Sequence, residues 1–101
     1  MREFVPGDII QHFKRETVDQ NSMQYLYKFI GIATHSETRD RVVVYRALYG
    51  DKGLFVRPYE MFMEEVDHVK YPEIRQKYRF EKIGKLNIHK LNCYFLLFYL
   101  Y

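Results

Sequence analysis

The 101-residue chain has no tryptophan, a single cysteine, three prolines and five glycines. Cys93 has no partner for an internal disulfide, and neither a C-x-x-C pair nor a leader-like segment accompanies it, so the expected compartment is the reducing cytoplasm. The four histidines, His12, His35, His68 and His89, lie far apart, and no two are spaced to share one helix face. That spacing argues against a zinc-type motif. A glycine-rich phosphate loop, a nucleophile elbow and a carboxylate-dyad motif are also missing, which leaves a metal-free and cofactor-free protein as the expectation. The uncharged run Cys93 to Tyr101, which also lacks proline and glycine, falls well short of the roughly 20 apolar residues that a membrane-spanning helix needs.

A large excess of one charge is also absent. The formal net charge is +3, but every acidic residue precedes Gly84, and only Lys85 and Lys90 add positive charge after it. Up to Ile83 the two signs nearly balance, without the concentrated basic face that phosphate-backbone binding usually shows. Lys14, Arg15, Lys28, Arg39 and Arg41 could still converge into a local patch on folding.

What the chain does have is aromatic side chains, ten Tyr and eight Phe. A chain this short buries a modest share of its surface, so its core must lean on these large rings. Its length suits one domain, placed at residues 1–83, followed by a hydrophobic tail at 84–101.

The strand signals are clear. Pro6-Gly7 makes a turn before a first strand at Asp8 to Phe13, and the polar stretch Glu16 to Gln24 reads as a mobile connection. Tyr25 to Thr34 is apolar on both alternating faces, as in a central strand, with Gly31 marking a bend or bulge. His35 to Arg41 forms a hairpin loop onto Val42 to Tyr49, and Gly50-Asp51-Lys52-Gly53 supplies the next turn, with both glycines free to take positive φ. Leu54 to Arg57 is a short strand ended or placed at an edge by Pro58. Tyr59, Phe62, Met63 and Val66 fall at helical spacing, so one or two helical turns are predicted over Tyr59 to Val66. After a loop over Asp67 to Gln76, Tyr78 to Ile83 closes the domain. About five strands with short links predict a mostly β fold, a closed or nearly closed small barrel.

Several of these blocks, in order, are Thr34-His35-Ser36-Glu37-Thr38, Val42 to Gly50, and Val56-Arg57-Pro58-Tyr59-Glu60-Met61-Phe62. Together with His12-Phe13-Lys14, Tyr25 to Ala33 and Lys77 to Ile83, they resemble a family of small bacterial proteins catalogued only as a domain of unknown function. The resemblance covers roughly His12 to Ile83 and implies an SH3-like small β-barrel. It implies almost nothing about activity. Many relatives carry glycine where Arg15 stands, with a shorter link to the second strand, and often tryptophan where Phe55 stands.

The candidate site residues cluster around the second hairpin and the Arg-Pro step. His35, Ser36 and Glu37 stand side by side, but neighbours along an extended chain point apart, so hydrogen bonding within a tight hairpin tip competes with any chemistry. Arg57 has its backbone restricted by Pro58, and its planar guanidinium suits a carboxylate or phosphate, supplied either by a ligand or by Glu37, Glu60 or Glu64. Tyr45, Tyr49, Phe55 and Tyr59 are either an aromatic surface around that arginine or simply core.

The predicted function is a non-enzymatic binding module for a small anionic or aromatic-anionic group: a nucleotide, a nucleic-acid end or a peptide carboxylate. His35, Glu37, Thr38, Tyr45, Tyr49, Arg57, Met61 and Phe62 are its candidate ligand residues, with Arg57 as the charge partner. A small hydrolase or transferase using His35 and Glu37 as acid and base is one alternative, and a purely structural protein-interaction domain is another. No catalytic residue is assigned. For the tail, docking on its own domain or homodimerisation is the preferred reading, and a shifted reading frame after Ile83 is the bland one.

Overall fold

A computed structural model describes residues 2–85. The expectation for the tail therefore lies outside the described residues, apart from Gly84 and Lys85. The chain forms β1 (Asp8–His12), a 3-10 turn (Phe13–Thr17), β2 (Leu26–Thr34), β3 (Arg41–Ala47), β4 (Leu54–Pro58), α1 (Tyr59–Met63) and β5 (Phe80–Lys85). All paired strands are antiparallel, in the order β4-β3-β2-β1-β5. The fold is mostly β, as predicted, and the five strands make one open sheet rather than a closed barrel. The sheet nonetheless curls strongly. Tyr45 on β3 and Phe80 on β5 bring their ring centroids to 5.3 Å although β2 and β1 lie between those strands.

Local chemistry sets the element boundaries. Tyr25 has φ of 68°, a left-handed conformation that no strand accommodates, so β2 begins at Leu26. The bulge predicted near Gly31 is present as a register shift between Phe29 and Gly31. In the turn after β3, Gly50 takes positive φ as expected, but the second left-handed residue is Lys52 and not Gly53. The Lys52 amide donates to the Tyr49 carbonyl at 3.0 Å, which closes the turn one residue early. The helical turn is also shorter than predicted. Glu64 is already extended, and Val66 leaves the helical face to join a second cluster with Phe13 and Ile74.

The main core is largely aromatic and lies on the concave face of the sheet. Phe62 from α1 is fully buried and stacks on Phe80 with centroids 4.3 Å apart and planes 8° apart, with Phe29, Val43 and Tyr45 around it. The N-terminal arm straps this arrangement. Arg2 donates to the carbonyls of Phe80 and Met63 at 2.8 and 2.7 Å, tying β5 to α1, and its guanidinium lies over the Tyr78 ring.

The link predicted to be mobile is tied down by Arg15. Its buried guanidinium donates to the carbonyls of Ser22, Gln24 and Gln20 at 2.6, 3.0 and 2.9 Å. Gln20 returns a bond to the Arg15 carbonyl at 2.8 Å. Arg15→Ala strands all three carbonyls and should lower the unfolding free energy by about 2 kcal/mol, read from urea melts. A loss below about 0.5 kcal/mol would show that the link holds its shape without the arginine. Among the described residues, no helix is long and apolar enough to cross a membrane.

Candidate anion-binding cleft

The sheet register separates the residues that the sequence placed together. At the β2–β3 hairpin tip, His35 Nδ1 accepts hydrogen bonds from the amides of Glu37 and Thr38, both at 3.2 Å. Thr38 Oγ1 accepts from the Asp40 amide at 3.3 Å, and the His35 amide donates to the Asp40 carbonyl at 2.8 Å. The imidazole therefore caps a turn in which Arg39 takes positive φ. What meets it is the Glu37 backbone and not the carboxylate, so this tip presents no acid–base pair.

Arg57 lies elsewhere. Pairing of Val43 with Arg57 turns its side chain to the same face as Tyr45 and Phe55. Its Nε donates to the Tyr45 hydroxyl at 3.2 Å, a terminal nitrogen reaches Met61 Sδ at 3.5 Å, and its guanidinium carbon lies 5.8 Å from the Phe80 ring centre. The carboxylates weighed as internal partners are not bound to it. Glu64 pairs with Arg79, and the other ion pair among the described residues joins Lys82 to Asp8 at 3.8 Å. Arg57 is thus oriented on three sides and leaves part of its fork uncommitted.

The structure brings together Arg57, Tyr45 and Met61 from the candidate set. It packs Phe62 against Tyr45 as core and does not bring in His35, Glu37, Thr38 or Tyr49. Tyr45 is buried and offers its hydroxyl to Arg57 in place of an open stacking face. The Tyr49 hydroxyl shares a 2.9 Å hydrogen bond with that of Tyr27, whose own ionisation is pushed upward by burial and then by this bond. Phe62 is core, with no exposed surface for a ligand. His35 and Thr38 border a separate hollow with Arg41, Pro58 and Tyr59, which shares no lining residue with the cleft beside Arg57.

That second cleft, about 490 Å³, lies where the end of β1, the 3-10 turn, β4 and the segment after α1 converge. It contains the residue that sequence reasoning missed, His12. The ring is 8% exposed and packs against Phe13, Tyr25 and Phe80. Its Nδ1 accepts from the Lys14 amide at 3.0 Å. Burial first, then the positive charges of Arg57, Arg79 and Lys14, lower its pKa to about 4. At neutral pH the imidazole is therefore uncharged, and the proton it keeps is on Nε2, because Nδ1 serves as an acceptor. Among the described residues Nε2–H has no hydrogen-bond partner. Lys14, Lys70 and Arg79 add positive charge to the lining, and Tyr71, tilted against Phe13 with centroids 5.0 Å apart, forms an aromatic wall. The sequence signal for this residue was its place in the His12-Phe13-Lys14 block.

No group of three or more His, Cys, Asp or Glu is placed to hold a metal ion among the described residues. The cleft instead sets one neutral N–H donor and the cations Lys14, Arg57, Lys70 and Arg79 beside the carboxylates of Glu64, Glu65 and Asp67. Such donors bind oxyanions.

Comparison with curated proteins and with solved structures found no significant match in either. A family model described as "Protein of unknown function (DUF1653)" matches residues 8–82, from the first residue of β1 into β5, and so takes in every element that builds the cleft. The chain belongs to the DUF1653 family.

Proposed function

We propose that this protein is a non-enzymatic binding module whose ligand presents a small anionic group to the cleft between His12 and Arg57. One observation carries the reading: the Arg57 guanidinium is positioned by Tyr45 and Met61 but has no carboxylate partner among the described residues, and it stands near a buried imidazole with an unspent N–H. That N–H opens into the cleft and is free for an incoming oxyanion, whose charge strengthens the hydrogen bond. Arg57 and His12 then supply the first contacts, Lys14 and Lys70 supply longer-range attraction, and Tyr71 offers a face for an aromatic portion.

The test is an NMR titration of the full chain with benzoate and with inorganic phosphate, following the His12 ring signals. Saturable shifts are expected with at least one of the two. Arg57→Gln should weaken that binding at least tenfold while lowering the melting temperature only modestly, because among the described residues Arg57 closes no ion pair and gives up one hydrogen bond to the Tyr45 hydroxyl. Absence of saturable shifts with both probes, or equal affinity in the variant, overturns the reading.

A further inference from the structure

The cleft is not simply basic. Arg57 on β4, Lys14 on the 3-10 turn and Arg79 just before β5 supply three of its cations, whereas the rim formed by the segment after α1 carries Glu64, Glu65 and Asp67 together with Lys70. Of the ion pairs that these opposed groups might make across the cleft, only Arg79–Glu64 forms among the described residues. Glu65 is exposed and its carboxylate has no partner there. Asp67 commits one oxygen, Oδ1, to the amides of Val69 and Lys70 at 3.0 and 3.1 Å.

The rim is also fixed in place. Glu65 pairs with Tyr78 in an isolated bridge, the Val66 amide donates to the Lys77 carbonyl at 2.8 Å, and the Arg79 amide donates to the Glu64 carbonyl at 2.9 Å. These bonds hold the acidic backbone apart from β4, so Arg57 shares one cleft with Glu65 and Asp67 without pairing with either. A ligand carrying only negative charge would gain from Arg57 and lose to Glu65 and Asp67, since a like charge brought into a partly desolvated site is penalised. A ligand carrying both charges gains from both walls.

Resting on the anion site proposed above, we infer that the ligand is a zwitterion of the α-amino acid class: its carboxylate lies against Arg57 and the His12 Nε2–H, and its ammonium lies toward Glu65 and Asp67. The His12 Nε2–H, unpartnered among the described residues and open to the cleft, marks the carboxylate end. The cleft's volume of about 490 Å³ falls within the usual size range of small-ligand sites.

The experiment titrates the full chain with each of the twenty free amino acids and with their N-acetyl derivatives, which keep the carboxylate and lose the ammonium. At least one free amino acid should bind, and at least tenfold more tightly than its N-acetyl form. Glu65→Gln should remove most of that difference by weakening the free form alone, with melting unchanged because the Glu65 carboxylate closes no bond in the fold. If the N-acetyl forms bind as well as the free ones, the zwitterion assignment falls and the anion site stands. If neither form binds while benzoate or phosphate does, the zwitterion assignment falls alone; if none of these probes binds, both readings fall.

Discussion

Replacing Phe62 by Ala should cost about 3–5 kcal/mol, most of the stability that a domain of this length holds. The expectation rests on its surroundings. Phe62 is completely buried, lies flat on Phe80 at 4.3 Å, meets Phe4 edge-on at 5.6 Å and contacts the rings of Phe29 and Tyr45. It is also the only buried side chain of α1, so its loss removes the contact that holds the helical turn over the open side of the sheet. The curl depends on the same cluster, because Phe62 and Phe80 fill the space where β4 and β5 fail to meet. Phe62→Leu keeps much of the volume and should cost about 1.5 kcal/mol or less. Chemical denaturation of the two variants against the parent reads both values. A loss under about 1 kcal/mol for Phe62→Ala would mean that α1 is not docked on the core as described.

Much of the fold was legible because the strand signals are local. The β-branched run Val42–Val44 with Tyr45, the two-faced apolar pattern of β2 and the Pro58 stop depend on neighbouring residues, and the sheet follows them to within a residue or two. What was not legible depends on convergence. Whether the sheet closes is decided by how Phe62 and Phe80 pack, and the order in the first link is decided by one arginine reaching three distant carbonyls. The site divides in the same way. Arg57 could be picked out because its backbone and side-chain chemistry are unusual within a few residues. The hairpin tip misled for the same reason, since adjacent His, Ser, Glu and Thr resemble a reactive cluster while the turn uses the imidazole as a cap. His12 stood out only as part of the His12-Phe13-Lys14 block, because its state is set first by burial and then by Arg57, Arg79 and Lys14, an environment that the fold assembles.

Acid should destabilise this protein more steeply than its carboxylates alone require, by on the order of 3 kcal/mol between pH 7 and pH 4. The extra component is His12. In the unfolded chain its imidazole takes a proton near the ordinary value of 6.5, whereas in the fold it resists protonation down to about 4. Between those limits the unfolded state binds more protons than the folded state, so stability falls as pH falls. Above 6.5 the imidazole is neutral in both states and the full contribution is present; below about 4 both are charged and no more is lost. Two structural causes act together. The ring is buried beside three cations, and a proton on Nδ1 would displace the hydrogen bond from the Lys14 amide. His12→Asn is the informative variant, because asparagine can still accept that amide hydrogen bond at the start of the 3-10 turn but does not titrate. It should lower stability at pH 7 through lost ring packing, yet show a shallower fall between pH 7 and pH 4. The difference between the two stability curves isolates the imidazole, since every carboxylate is common to both proteins. A difference that stays flat across that interval would mean that His12 protonates in the fold as readily as in the unfolded chain, and that it does not stand neutral in the cleft.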